Sequence, residues 1–124
     1  MHICVFGSSI AHGLYDLEQG GWVERLKLYC LNQQEKIHHI YNLGIDGDRV
    51  EGVLTRFEKE STLRKVEALI FAIGFNNSPH SANPKGTKLS VFESQYNDLV
   101  KKAQNLTSQI MLFGLTNVDE THVQ

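Results

Sequence analysis

The run Ala68-Leu69-Ile70-Phe71-Ala72-Ile73 is apolar at every position. A surface helix or a half-buried strand would interrupt it with polar residues at a period of 3.6 or 2. Unbroken hydrophobicity over so short a length is the pattern of a strand buried on both faces, which belongs at the centre of a parallel sheet covered by helices. The strand is expected over Val66 to Ile73, and it stops at the turn-rich Gly74-Phe75-Asn76-Asn77-Ser78-Pro79. A chain that contains such a strand must supply helices for both sides of it.

The flanking sequence supplies them. Residues 2 to 6 form a first strand that ends abruptly in Gly7-Ser8-Ser9. Trp22, Val23, Leu26, Tyr29 and Cys30 then follow helical spacing to about Asn32. The β-branched and aromatic stretch Ile37 to Leu43 is expected to be a second strand. From Arg49 the apolar positions Val50, Val53, Leu54 and Phe57 return to helical spacing. Ser90-Val91-Phe92-Glu93 fits a capping box for a helix to about Gln104, whose Phe92 and Tyr96 are expected in the core. Ile110 to Leu115 reads as a fourth strand with Thr116 to Glu120 as its exit loop. The alternation predicts one α/β domain over residues 1–124, a three-layer α/β/α sandwich with a parallel, flavodoxin-like sheet and right-handed crossovers.

Composition narrows the function. With 41% hydrophobic and 21% charged residues the chain is an ordinary globular one. A net charge of −2, with scattered Lys and Arg, argues against a nucleic-acid surface. Near the start only residues 3 to 6 are continuously apolar, too few for a signal peptide or a membrane span. Cys4 and Cys30 lack metal-ligand spacing and read as reduced thiols of a cytoplasmic protein. No cofactor or metal is expected.

In a parallel sheet the loops carrying Ser9, Asp46-Gly47 and Gly74-Asn76 open onto one rim, and they flank a topological switch point if the first strand lies between the second and third. A hydroxyl, a backbone N–H freed by glycine and a side-chain amide form the set an acyl-transfer site needs. Gly7-Ser8-Ser9-Ile10, Asn42-Leu43-Gly44-Ile45-Asp46-Gly47-Asp48 and Gly74-Phe75-Asn76-Asn77 resemble the first three sequence blocks of the SGNH (GDSL-type) hydrolases, in order and each after a predicted strand. The resemblance implies that fold and a cofactor-free serine hydrolase acting on a small-molecule carboxylic ester. It implies Ser9 as nucleophile, with its own N–H, Gly47 and Asn76 forming the oxyanion hole. Ser8 and Asn77 depart from the family, which commonly has Asp at both positions.

The family takes its base from an Asp-x-x-His segment after a later strand. Asp119-Glu120-Thr121-His122 has that spacing but follows the fourth strand, where the family often shows a Val-Asp-Glu-like segment. The chain is therefore expected to be the N-terminal portion of a longer domain, with Asp119 and His122 structural or solvent-facing. It should also expose apolar surface that favours self-association. His12 is expected on the surface or facing a turn, and His80 at the pocket mouth. His38 and His39 are expected on opposite faces of the second strand. Two other readings compete: a flavodoxin-like module that holds an anion at the Gly/Ser turn, and a degenerate hydrolase kept for interaction.

Overall fold

The computed structural model describes residues 1–33, 36–115 and 121. Four parallel strands, β1 (His2–Gly7), β2 (His39–Gly44), β3 (Ala68–Ala72) and β4 (Ile110–Leu112), lie in the order β2-β1-β3-β4. Four helices join them: α1 (Ser9–His12), α2 (Trp22–Leu31), α3 (Val50–Leu63) and α4 (Leu89–Gln104). A single 3-10 turn at Phe75–Asn77 follows β3. The predicted α/β architecture and the central place of β1 are borne out.

Side-chain alternation along β1 and β3 divides the core. Cys4, Phe6, Leu69, Phe71 and Ile73 face α3 and α4, where they meet Val50, Val53, Phe57, Leu99 and Ala103. Val5, Ile40 and Ile70 face the other way, against Ala11 of α1 and Val23 of α2. The α3 side is anchored by three rings: Phe57 stands edge-on to Phe6 and Phe71, with centroids 6.2 and 5.8 Å away. Phe92 and Tyr96, at helical spacing on α4, pack against the same cluster as expected.

Element boundaries differ from expectation in β2, β3, β4 and α4. β3 runs Ala68–Ala72 rather than Val66 to Ile73, since the Val66 N–H is still bonded to the Ser61 carbonyl at the end of α3. β2 begins at His39 rather than Ile37, because His39 already pairs with His2 and β1 starts there; Ile37 is left exposed. β4 stops at Leu112 rather than Leu115, since its partner β3 ends at Ala72 and the chain turns at Gly74. The capping box at Ser90 does not form. The Thr87 N–H is bonded to the Asn77 carbonyl at 2.7 Å, and α4 starts at Leu89 with Lys88 as an N-cap that makes no side-chain bond. His38 consequently precedes β2, with its ring beside the Met1 amino group, while His39 stacks on His2.

Asp16 organises the connection from α1 to α2. Its carboxylate accepts from the backbone N–H groups of Glu18, Gln19 and Gly21 and from the Arg25 guanidinium. The Arg25 bond, then the backbone bonds, hold this carboxyl down to about 2. A carboxyl depressed in the folded state stabilises fully above its unfolded value, near 3.9, and loses that contribution as pH falls toward 2. Denaturant titrations between pH 5 and 2 should therefore show a smaller loss of stability in Asp16→Asn than in the wild type; equal slopes would contradict the assignment. In the core, Phe57→Ala should cost about 3–5 kcal/mol, read from the shift in the urea midpoint at constant slope.

Candidate active site

The site lies at the carboxyl ends of β1, β2 and β3. Ser9 is the first residue of α1, so its backbone N–H has no acceptor within the helix. Its Oγ makes no hydrogen bond among the described residues. The preceding Ser8 is 3% exposed and faces the interior. Of the two serines, Ser9 is the one left at the rim.

Two glycines let α1 sit directly on the strand ends. A Cβ on Gly44 would lie 2.5 Å from the His12 backbone nitrogen and 2.9 Å from the Ser8 carbonyl. One on Gly7 would lie 2.5 Å from the Ala11 Cβ. Gly7 thus serves close approach; it is not among the glycines with positive φ. Asn42 adds a strut, its amide donating to the Ala11 carbonyl at 2.9 Å.

The second loop turns over Ile45 to Asp48, closed by an Asp48 N–H to Ile45 carbonyl bond of 3.0 Å. Gly47 holds φ +75 at its third position, a conformation that glycine adopts without penalty. Its N–H has no partner among the described residues, and nothing lies within 4 Å of where a Cβ would point. The third loop meets this one directly. Asn76 donates one Nδ2 hydrogen to the Asp48 carbonyl at 3.1 Å, and its other amide hydrogen makes no bond among the described residues.

Three residues support these loops through contacts that the sequence did not show. Asn77 is buried and accepts from the Val50 N–H, capping α3 across the loops, while it donates to Glu51 and Thr87. Arg56 binds Asp48 Oδ2 through two nitrogens at 3.1 and 2.8 Å, and also reaches the Leu43 carbonyl and Glu60. Its contact with Asp48 spans eight residues, beyond the i,i+4 reach of a helix pattern. His12 Nδ1 lies 2.8 Å from Asp46 Oδ1, joining α1 to the Gly47 loop. No hydrogen bond links His12 to Ser9.

The remaining expectations divide. Asp119 and His122 lie outside the described residues. His80 turns back on its own loop through the Ser78 carbonyl rather than toward Ser9. Trp22 is half-buried: it packs against the second cluster, stacks on Phe113 and walls a cavity of about 310 Å³ beside Ser8 and Ile10. Both cysteines are free, and burial pushes the Cys4 thiol up to about 11, which leaves it inert at neutral pH. Among the described residues no cluster of three or more His, Cys, Asp or Glu could hold a metal ion. No helix there is long and apolar enough to cross a membrane.

Solved structures share this fold. TesA superposes with a TM-score of 0.81 at 20% identity over 98% of this chain and 64% of its own. The psychrotrophic esterase EstA from Pseudoalteromonas sp., inhibited by monoethylphosphonate, gives 0.80 at 18% identity over 97% and 62%. Axe2, an acetylxylan esterase from Geobacillus stearothermophilus, gives 0.74 at 19% identity over 90% and 57%. The fold is that of these proteins. The chain spans less than two thirds of the length of each. Catalytic mutants of Axe2 alter a serine and, far downstream of it, an aspartate and a histidine three residues apart. No family model and no curated protein matches the sequence.

Arg56 and Asp48 expose 15% and 11% of their side chains, so removing one leaves the other charged and largely cut off from water. Arg56→Ala should destabilise the fold by about 3 kcal/mol. Arg56→Met, tested together with Asp48→Asn, should recover part of that loss in the same urea titration.

Proposed function

We propose that this chain carries the nucleophile and oxyanion hole of a serine hydrolase that cleaves carboxylic esters of small molecules. The reading is supported by the joining of three strand-end loops, through the Ile45 N–H to the Gly7 carbonyl, His12 to Asp46 and Asn76 to the Asp48 carbonyl, each with a donor left unspent: the Ser9 N–H, the Gly47 N–H and one Asn76 amide hydrogen. Ser9 Oγ attacks the ester carbonyl and gives its proton to a base. The carbonyl oxygen takes the negative charge among the three donors, the alcohol leaves with a proton from the same base, and water then releases the acyl group. Donors fixed before reaction stabilise the developing alkoxide without reorganising, so each has a large effect on rate.

The base is proposed to come from an Asp-x-x-His segment in the part of the fold that the neighbours possess and this chain does not span. The fold likeness to esterases, and the catalytic serine, aspartate and histidine of Axe2, support this reading. The competing anion-binding reading gains little from α1, a single turn of four residues. The proposed setting is cytoplasmic. Self-association would use the exposed apolar strip of Met111, Leu112 and Leu115.

A fluorophosphonate probe applied to the full-length protein should label Ser9 alone, and Ser9→Ala should abolish labelling. Asn76→Ala should slow the reaction by about 100-fold while leaving the fold intact. Label retained in Ser9→Ala would remove the proposal.

A further inference from the structure

The loop bearing Gly47 is anchored at both ends. Ile45 N–H donates to the Gly7 carbonyl at 3.1 Å. Asp48 is held by Arg56 through its carboxylate and by Asn76 through its carbonyl. Between these anchors, the backbone N–H groups of Asp46 and Gly47 have no partner among the described residues. What reaches this tip is the His12 ring. A carboxylate only accepts, so Nδ1 carries the hydrogen of the 2.8 Å contact and Nε2 points away from Asp46.

His12 stands on α1 three residues after Ser9, and Asp46 immediately precedes Gly47. The bond therefore ties the helix that carries the hydroxyl to the peptide whose N–H would face the oxyanion. We propose that the His12–Asp46 pair is a positioning clamp that sets the Gly47 N–H against Ser9; its catalytic meaning rests on the hydrolase reading above. The two side chains are 55% and 45% exposed. Exposed pairs of this kind add little to global stability, so the consequence of this one is local. A displacement of an oxyanion donor by an ångström is enough to slow acyl transfer severely.

Asparagine makes the decisive variant. Its Nδ2 stands the same number of bonds from the backbone as the histidine Nδ1, so His12→Asn can keep the bond to Asp46. It cannot take a proton from Ser9. Two readouts on the full-length protein separate the possibilities: the rate of Ser9 phosphonylation by a fluorophosphonate, and the amide shift and order parameter of Gly47 by nitrogen-15 NMR.

His12→Ala and Asp46→Ala should each slow phosphonylation by about 10- to 100-fold and loosen Gly47, with the melting temperature unchanged. The double variant should be no slower than either alone. His12→Asn should restore both readouts to within a few-fold of wild type. An unchanged Gly47 amide in His12→Ala would overturn the clamp. So would a His12→Asn that restores the amide but reacts as slowly as His12→Ala, because the ring would then act on the reaction itself. If wild-type Ser9 takes no probe, the hydrolase reading falls, and the NMR comparison alone decides whether the clamp exists.

Discussion

Everything at the rim depends on how closely a one-turn helix can lie against two strand ends. α1 rests on β1 and β2 at Gly7 and Gly44, where a single added carbon would fall inside neighbouring backbone or the Ala11 methyl. Hydrogen atoms alone fit in that gap. The closeness places the start of α1 beside the turn after β2, and the Ile45 to Gly7 bond fixes the relation between them. Loss of that intimacy would separate Ser9 from the second loop before any side chain of the site was altered.

The two adjacent asparagines after β3 divide the work of joining the third loop to the second. Asn77 is turned inward, and its carbonyl oxygen satisfies the Val50 N–H at the start of α3, one of the orphan donors every helix must place. A carboxylate at this position could accept the same bond, so an Asp in place of Asn77 would preserve the acceptor. Asn76 is turned to the rim and spends half of its donating capacity on the Asp48 carbonyl. That bond orients the amide plane and leaves a hydrogen unengaged. Arg56 completes the assembly from below, over the face of Phe6, with its guanidinium 5.3 Å from the ring centroid.

The sheet was legible because its cause is local: continuous hydrophobicity at Ala68–Ile73 and apolar periodicity in the helices need no knowledge of the partner. The strand ends were less so. Whether Ile37 or Leu115 belongs to a strand depends on where the neighbouring strand starts or turns, which no window of sequence contains. The capping box failed for the same reason, since a bond from Thr87 to Asn77 decides where α4 begins. At the rim, Ser9, Gly47 and Asn76 could be named from three short blocks that follow strands. Arg56 and the pairing of His12 with Asp46 could not, because each joins residues eight or more positions apart through the fold. The candidate donors could be named from the sequence; the bonds that brace their loops could not.

The surface around this cradle has a different character. Ile10, Leu14, Tyr15 and Leu17 are all exposed on or just after α1, and Tyr15 and Leu17 are almost wholly in solvent. None of them takes part in the bonds that hold the three loops together. Two of the three proposed donors are main-chain groups, and the third is fixed by a main-chain carbonyl. On the proposed reading, recognition and reactivity would be built from separate materials. The outer wall is free to drift toward new molecular shapes over evolutionary time, while the inner scaffold that would stabilise charge stays as it is.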